Sequence, residues 1–444
     1  MHFERLLKKL AIYLTITLFA FGLFAMFYTG EYLESLIALK TIMLSPSPLV
    51  TDYFALGNLS SAFLNAGLCS LFCAIFINLK HARLNPSVYA GYFLVIAHCF
   101  YGLSFFNMLP CAIAAIVAAK LDKRRIRRNI STIFFTTAFG PFAGELILRY
   151  PFGNIFLRTI ATFFFSLLMA YCVPLALDET KRWHQGYNLY NGGLALGLWG
   201  VVFYAFFYKT LGVEQTGAIY YENAIYDMHG RSYFLFANIF FITIFLSAIL
   251  IGYHFNNNSF AGYLSLLKED SYKSDYSKLG DAALVLINLG FYGLLILGYF
   301  DLVIIIFKGA GFTGSTVGAI LASLSFTASG QQPRNAIPIL IGYVVLYLLA
   351  NLLSNGTMGW TLASQGYING AAFATGLCPI AGVYGPICGI LAGMIDAIIC
   401  TSTSAMHGGL MLYNGGLTAG LTALLVLPIF EYFRIRKKTT EPTD

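Results

Sequence analysis

The feature that most constrains this chain is a series of apolar runs, recurring from Leu10 to Phe430, each close to the length that crosses a lipid bilayer. A helix needs about 20 apolar residues to span the hydrocarbon core. No water is available there to satisfy backbone N–H and C=O groups, so a chain that crosses repeatedly does so as helices or as a closed barrel. A barrel shows short segments of strict alternation, whereas these runs are continuous. The expected fold is all-α, a polytopic helical membrane bundle. Composition agrees: apolar residues make up 58% of the chain and charged residues 11%, against roughly 45–50% and about 25% in soluble domains.

Charge and cysteine content narrow the function classes. The net charge is +7, but the basic residues cluster in short loops between apolar runs, as the positive-inside rule expects. Nucleic-acid binding is therefore not expected. The basic loop Lys120–Arg128 offers a contact for anionic lipid, although topology determination is enough to explain it. The eight cysteines lie in or beside apolar runs and form no CxxC pair. They read as small packing residues, and no metal or other cofactor is expected. Arg5, Lys8 and Lys9 precede the run Leu10–Tyr28, which ends in bulky Phe27-Tyr28 without a small-x-small cleavage site. It reads as a retained first helix rather than a signal peptide.

An internal repeat organises the runs. His184-Gln-Gly-Tyr-Asn-Leu-Tyr-Asn-Gly-Gly-Leu-Ala-Leu-Gly-Leu198 matches His407-Gly-Gly-Leu-Met-Leu-Tyr-Asn-Gly-Gly-Leu-Thr-Ala-Gly-Leu421 at ten of fifteen positions without a gap. Other pairs follow in the same order: Asn65 with Asn288, Gly102 with Gly330, Asn107 with Asn335, Pro110 with Pro338, and Phe135, Thr137, Pro141 and Gly144 with Phe373, Thr375, Pro379 and Gly382. The first repeat is read as 1–208, an extracytoplasmic linker as 209–231, the second repeat as 232–432 and a cytoplasmic tail as 433–444.

Charge placement sets the orientation. Lys8 and Lys9, His81 and Arg83, the run from Lys120 to Arg128, and Arg434 to Lys438 mark the cytoplasmic side; Glu214, Glu222 and Asp227 mark the linker as external. The helix before the linker then ends outside and its counterpart ends inside. An odd number of spans per half, and inverted topology, follow. The first half reads as seven segments, 9–28, 58–79, 85–105, 107–121, 130–148, 155–178 and 189–208. The second reads as 233–253, 280–300, 302–328, 335–353, 360–377, 379–400 and 410–430, some of them re-entrant or broken. Both termini are expected in the cytoplasm and the chain in the plasma membrane. A homo-oligomer is compatible with the sequence.

Inverted repeats with interrupted helices are characteristic of solute carriers, because opposed halves give similar inward and outward routes to a midplane site. Candidate path residues follow from that logic. Asn107 and Pro110 form one Asn-x-x-Pro motif; Asn335 and Pro338 form the other, preceded by Gln331 and Gln332. Proline frees a carbonyl one turn earlier, and at membrane depth freed groups line a cavity or meet protein partners. The competing reading is a surface turn with asparagine as a helix cap. Asn191 with Gly192, and Asn414 with Gly415, are a second pair, with His184 and His407 two turns earlier if the segment is helical. The two asparagines would face each other across a pore, or the motif is small-residue helix packing with an interhelical hydrogen bond. Glu145 and Asp396 lie in apolar runs, where an ionisable group marks function by default. They are candidates for ion coupling; the alternative for Glu145 is an interfacial pair with Arg149.

At the Leu-Tyr-Asn-Gly-Gly-Leu motifs the sequence resembles the urea transporter family, whose members have two inverted halves. Each of those halves carries a segment similar to 186–198 and 409–421 and a short Asn-Pro motif near the solute. Here Asn and Pro are separated by two residues, and the interval from Pro110 to Asn191 is longer. The seven-plus-seven count resembles the nucleobase and anion transporter fold, which implies broken third and tenth helices, here 85–105 and 302–328. The whole chain resembles an uncharacterised group of bacterial multi-pass membrane proteins, a resemblance that supplies no function. The expectation is a transporter or channel for a small polar solute. An intramembrane enzyme is the alternative, without an HExxH or G-x-S-x-G motif to support it; a structural subunit without a path is another.

Overall fold

The computed structural model describes residues 2–123, 126–219, 224–279, 282–307 and 311–433. Arg124, Arg125, Glu222, Gly280, the tail from Arg434 onward and the side chains of Asp227 and Arg231 lie outside the described residues. The described chain is all-helical, and its main segments fall into two sets of seven. The first set is α1 (Phe3–Thr29), α2 (Leu59–Ile77), α3 (Pro86–His98), α4 (Phe105–Leu121), α5 (Ile130–Thr136 and Gly140–Leu148, joined by a 3₁₀ turn Thr137–Phe139), α6 (Ile155–Trp183) and α7 (Asn191–Tyr204). The second is α8 (Ala224–Phe255), α9 (Ala283–Ile306), α10 (Gly314–Ser323), α11 (Pro333–Leu353), α12 (Gln365–Ala374 and Cys378–Tyr384, joined by Thr375–Leu377), α13 (Pro386–Met406) and α14 (Asn414–Tyr432).

Ten helices among the described residues are long and apolar enough to cross a bilayer: α1, α2, α5, α6, α7, α8, α9, α11, α13 and α14. Their outward faces carry large apolar side chains, as at Leu175 (74% exposed) and Leu353 (75%). Such faces are unfavourable in water and natural against lipid. The chain is an integral membrane protein.

The repeat is visible element by element. The 3₁₀ breaks at Thr137–Phe139 and Thr375–Leu377 fall at matched positions, each followed by a proline where a helix restarts and its missing N–H costs nothing. Helices α3 and α10, of 13 and 10 residues, are too short to cross; at 1.5 Å per residue they reach about 20 and 15 Å into a core of about 30 Å. Both are buried along their length. Each leads to a glycine in the left-handed region, Gly102 (φ +93°) and Gly330 (φ +124°), a conformation other residues adopt only at a cost.

One asparagine per half holds the chain beyond that short helix. Asn65 Nδ2 donates to Cys99 O (2.8 Å) and Leu103 O (3.0 Å), and its Oδ1 accepts from Phe105 N (3.0 Å). Asn288 Nδ2 donates to the matched carbonyls of Thr327 and Gln331, both at 2.8 Å. The position matching Phe105 is Pro333, which has no N–H, so Asn288 Oδ1 is left without a partner.

Corresponding helices pack side by side in opposite directions. Lys9 at the start of α1 lies over the ring of Phe255 at the end of α8 (5.8 Å), while Phe24 meets Phe236 (6.1 Å). Near one end of α7 and α14, Gly193 packs on Gly416; further along, Gly200 of α7 packs on Met411. Between α3 and α10, Gly318 meets Ala97 while Tyr89 and Thr327 share a 2.7 Å hydrogen bond.

Several expected boundaries are corrected. The segment 302–328 divides between the end of α9 and the separate short helix α10, and 85–105 shrinks to 86–98. The break expected between 377 and 379 is only a 3₁₀ turn; the true division is Gly385 (φ +95°) before Pro386. Apolar content does not distinguish a proline tolerated at a helix start from a Gly-Pro pair that ends one. The linker is also shorter than expected as irregular chain, since the α8 backbone is helical from Ala224.

Candidate solute path

The two Leu-Tyr-Asn-Gly-Gly-Leu segments meet at the centre of the molecule. Leu189 N donates to Gly376 O (2.9 Å), and its counterpart Leu412 N donates to Ala138 O (3.0 Å). Each motif is thereby tied to the 3₁₀ break of the other half. The first glycine packs on a phenylalanine at that break, Gly192 on Phe135 and Gly415 on Phe373. The second glycines, Gly193 and Gly416, bring the two backbones together, and a β-carbon on Gly193 would lie 2.5 Å from Gly416 C and 2.6 Å from Tyr413 O. The repeated glycines are thus required by close approach of two helices.

Each histidine bonds its own asparagine, although residues 185–190 are not helical. His184 Nδ1 accepts from Gly186 N (3.3 Å) and Asn188 N (3.2 Å), so Nε2 carries the proton and donates to Asn191 Oδ1 (2.8 Å). His407 Nε2 lies 3.0 Å from Asn414 Oδ1, and its Nδ1 has no partner. Burial pushes both histidines below their ordinary pKa, favouring neutral rings.

The asparagines then differ. Asn191 also accepts from Thr180 Oγ1 (2.7 Å) and donates to Leu177 O (2.7 Å), so its oxygen and its nitrogen both have protein partners. In the second half the matched threonine, Thr403, bonds Thr418 instead (2.7 Å), a hydroxyl whose counterpart is Ala195. Asn414 Nδ2 is left without a protein partner.

Two cavities approach this centre and are lined by matched positions. One holds Phe135, Leu177, Asp178, Lys181, Leu189, Asn191 and Gly192; the other holds their counterparts Phe373, Cys400, Thr401, Ser404, Leu412, Asn414 and Gly415. They are unequal. The first, about 550 Å³, opens between Ser87, Lys181 and Lys273. The second is smaller, about 120 Å³, with Leu49 and Val50 in its wall. Leu49 N is bonded to Gly409 O (2.8 Å), and Gln215 of the linker bonds Gly408 O.

The expectation that Asn191 and Asn414 face each other across one pore is therefore corrected: they open to different cavities, and glycine backbones occupy the centre. The Asn-x-x-Pro motifs are corrected as well. Asn107 is buried in a capping box with Ser104 and donates to Gly102 O (3.0 Å), so its oxygen and its nitrogen are both engaged by backbone. Asn335 donates to Glu269 O (3.0 Å) and Ser271 Oγ (2.8 Å), and Gln332 to Leu267 O and Glu269 O (both 3.2 Å), fastening the 267–271 loop. Pro110 and Pro338 lie inside α4 and α11. Gln331 is different: its Nε2 donates to Tyr190 Oη (3.0 Å) and Thr375 Oγ1 (2.8 Å), linking three central elements.

The two carboxylates separate. Glu145 Oε1 accepts from Thr216 N (2.8 Å), so it anchors the linker at a helix end. Asp396 is fully buried between Tyr343 Oη (2.5 Å) and Thr422 Oγ1 (3.3 Å), with neutral hydroxyls as its hydrogen-bond partners. It lies one turn from the cavity-lining Cys400. Sequence reasoning passed over Tyr101 and Asn369 in the smaller cavity, and noted Asn65, Asn288 and the two phenylalanines only as alignment marks.

These contacts define a class: an integral membrane protein of two repeats that join through paired glycine motifs, with a cavity from each half. Residues 32–209 and 255–432 each match one family model, described as Protein of unknown function (DUF1576). The chain belongs to that family, and the double match is consistent with two repeats of one unit. No curated protein and no solved structure matches the chain.

Proposed function

We propose that this chain is a transporter of a small polar solute, with its path between two inverted halves in the plasma membrane and both termini in the cytoplasm. The observation that carries this reading is the pair of matched but unequal cavities, separated by the Gly193–Gly416 contact. A channel needs one continuous lumen. Two related cavities of unequal volume, one on either side of that contact, suit a carrier that exchanges their roles. The opposed packing of α1 with α8 and of α7 with α14 supports inversion, and the basic residues near the larger cavity support its assignment to the cytoplasmic side. Asp396 is the coupling group in this reading, because a carboxylate held by two hydroxyls accepts a proton without losing a partner cation. Glu145 holds the linker and takes no part. The path carries solute without chemical conversion.

Two measurements test this. Cysteines placed at exposed Glu214 and Lys273 should label from the outside and the inside, respectively, in intact cells. The purified chain in proteoliposomes should pass small polar solutes. Labelling of both sites from one side would overturn the inverted arrangement, and folded protein without flux would overturn transport.

A further inference from the structure

We infer that the smaller cavity is a binding site for a small uncharged solute that accepts hydrogen bonds through a carbonyl oxygen. The inference rests on the path reading above and specifies its ligand. The cavity presents three hydrogen-bond donors whose orientation is set by the protein. Asn414 directs Oδ1 to His407 Nε2 (3.0 Å), which turns Nδ2 toward the lumen. Asn369 directs Oδ1 to Gln365 Nε2 (2.9 Å), with the same result. Gln365 is fixed in turn, because its Oε1 accepts from Thr313 Oγ1 (2.7 Å). The third donor is Tyr101 Oη, which lines the cavity, is 1% exposed and has no partner. A buried hydroxyl left unpaired is destabilising, a cost that a bound acceptor removes. The start of α14 at Asn414–Gly415 adds backbone N–H groups to the same wall.

The lining is donor-rich yet uncharged. A carboxylate there would be buried without a cation, and a cationic solute without a carboxylate, both of which are costly. A neutral carbonyl satisfies the donors at no such penalty. At about 120 Å³ the cavity holds a solute of a few heavy atoms, equivalent to about four waters at roughly 30 Å³ each. The matched positions of the larger cavity do not repeat this set: Asn191 Nδ2 already donates to Leu177 O, Ser329 replaces Tyr101, and Asp178 and Lys181 replace Thr401 and Ser404.

The test uses the full chain in proteoliposomes and three labelled probes of similar size: acetamide, acetate and methylammonium. Acetamide flux should exceed that of either ion at least tenfold. Asn414→Asp and Asn369→Asp, which exchange a donor for an acceptor at constant size, should each reduce acetamide flux at least tenfold. Tyr101→Phe removes a hydroxyl that stabilises nothing in the empty protein, so it should fold normally and raise the half-saturating acetamide concentration several-fold. Equal flux of acetate or methylammonium, or full acetamide flux in the Asn369→Asp and Tyr101→Phe proteins, overturns the ligand assignment and leaves the path standing. No flux of any probe through folded protein overturns both.

Discussion

Replacing Gly193 by alanine tests the central contact most directly. The new methyl would lie 2.5 Å from Gly416 C and 2.6 Å from Tyr413 O, and closer still to Gly416 Cα. Ordinary contact begins near 3.4 Å, so α7 and α14 must separate by about 1 Å, because backbone atoms have no rotamer to offer. Overpacking of this kind costs about 1–3 kcal/mol. A gap of 0.5–1 Å also forfeits roughly a quarter to a half of each dispersion contact beside it, and Leu194 and Leu417 are both fully buried there. We expect a loss of about 3 kcal/mol in reversible unfolding of the detergent-solubilised protein. Gly298→Ala is the control, since no atom lies within 4 Å of its β-carbon position; it should be neutral or gain up to about 1 kcal/mol from helix propensity. If both variants unfold alike, the helices do not cross at Gly193.

Three further outcomes are expected. Asn65→Ala strands two carbonyls and one N–H, whereas Asn288→Ala strands two carbonyls and removes an oxygen already unpaired; at about 1–3 kcal/mol per stranded group, the first should be the more destabilising by about 1 kcal/mol or more, read from the same unfolding curves. Asp52, in the chain between α1 and α2, is fully buried, and desolvation raises its pKa to about 6 despite N–H bonds from Phe54 and Gly314. A raised carboxyl pKa favours the protonated native form, so this contribution is full below the ordinary 3.8 and is lost as pH rises through about 6. Thermal unfolding between pH 4 and 7 should show that decline, Asp52→Asn should remove it, and a decline that persists in Asp52→Asn would assign it elsewhere. Asp396→Asn should abolish gradient-driven accumulation while exchange persists, and Glu145→Gln, which keeps an acceptor for Thr216 N, should leave both unchanged; the reverse pattern would exchange the two roles.

Much of this architecture was legible in the sequence, for a physical reason. Run length and low charge give membrane helices, and Leu-Tyr-Asn-Gly-Gly-Leu gives the repeat because two backbones in contact tolerate only glycine. Bond partners were not legible. Asn107 and Asn414 are both buried-motif asparagines at a helix start, yet one spends its amide on a cap and the other keeps a donor free. What separates them is the choice of partner made by nearby side chains: Ser104 bonds Asn107, while Thr418 draws Thr403 away from Asn414. The helix break at Gly385 was hidden for a similar reason, since Pro379 and Pro386 look alike until their carbonyl partners are known.

The two halves have diverged unevenly, and the pattern separates scaffold from path. Contacts that anchor backbone are duplicated: Asn65 and Asn288 on matched carbonyls, Leu189 and Leu412 on matched 3₁₀ breaks, Phe135 and Phe373 under matched glycines. Some cavity-lining positions are matched too, such as Asn191 with Asn414, but the charged ones are not: Asp178 stands opposite Thr401 and Lys181 opposite Ser404, while Ser329 stands opposite Tyr101. A packed core tolerates change poorly because altered volume costs stability on both sides of a contact. A carrier of the kind proposed above would use that difference between the cavities, one end screening solute at a charged mouth and the other holding it among neutral donors.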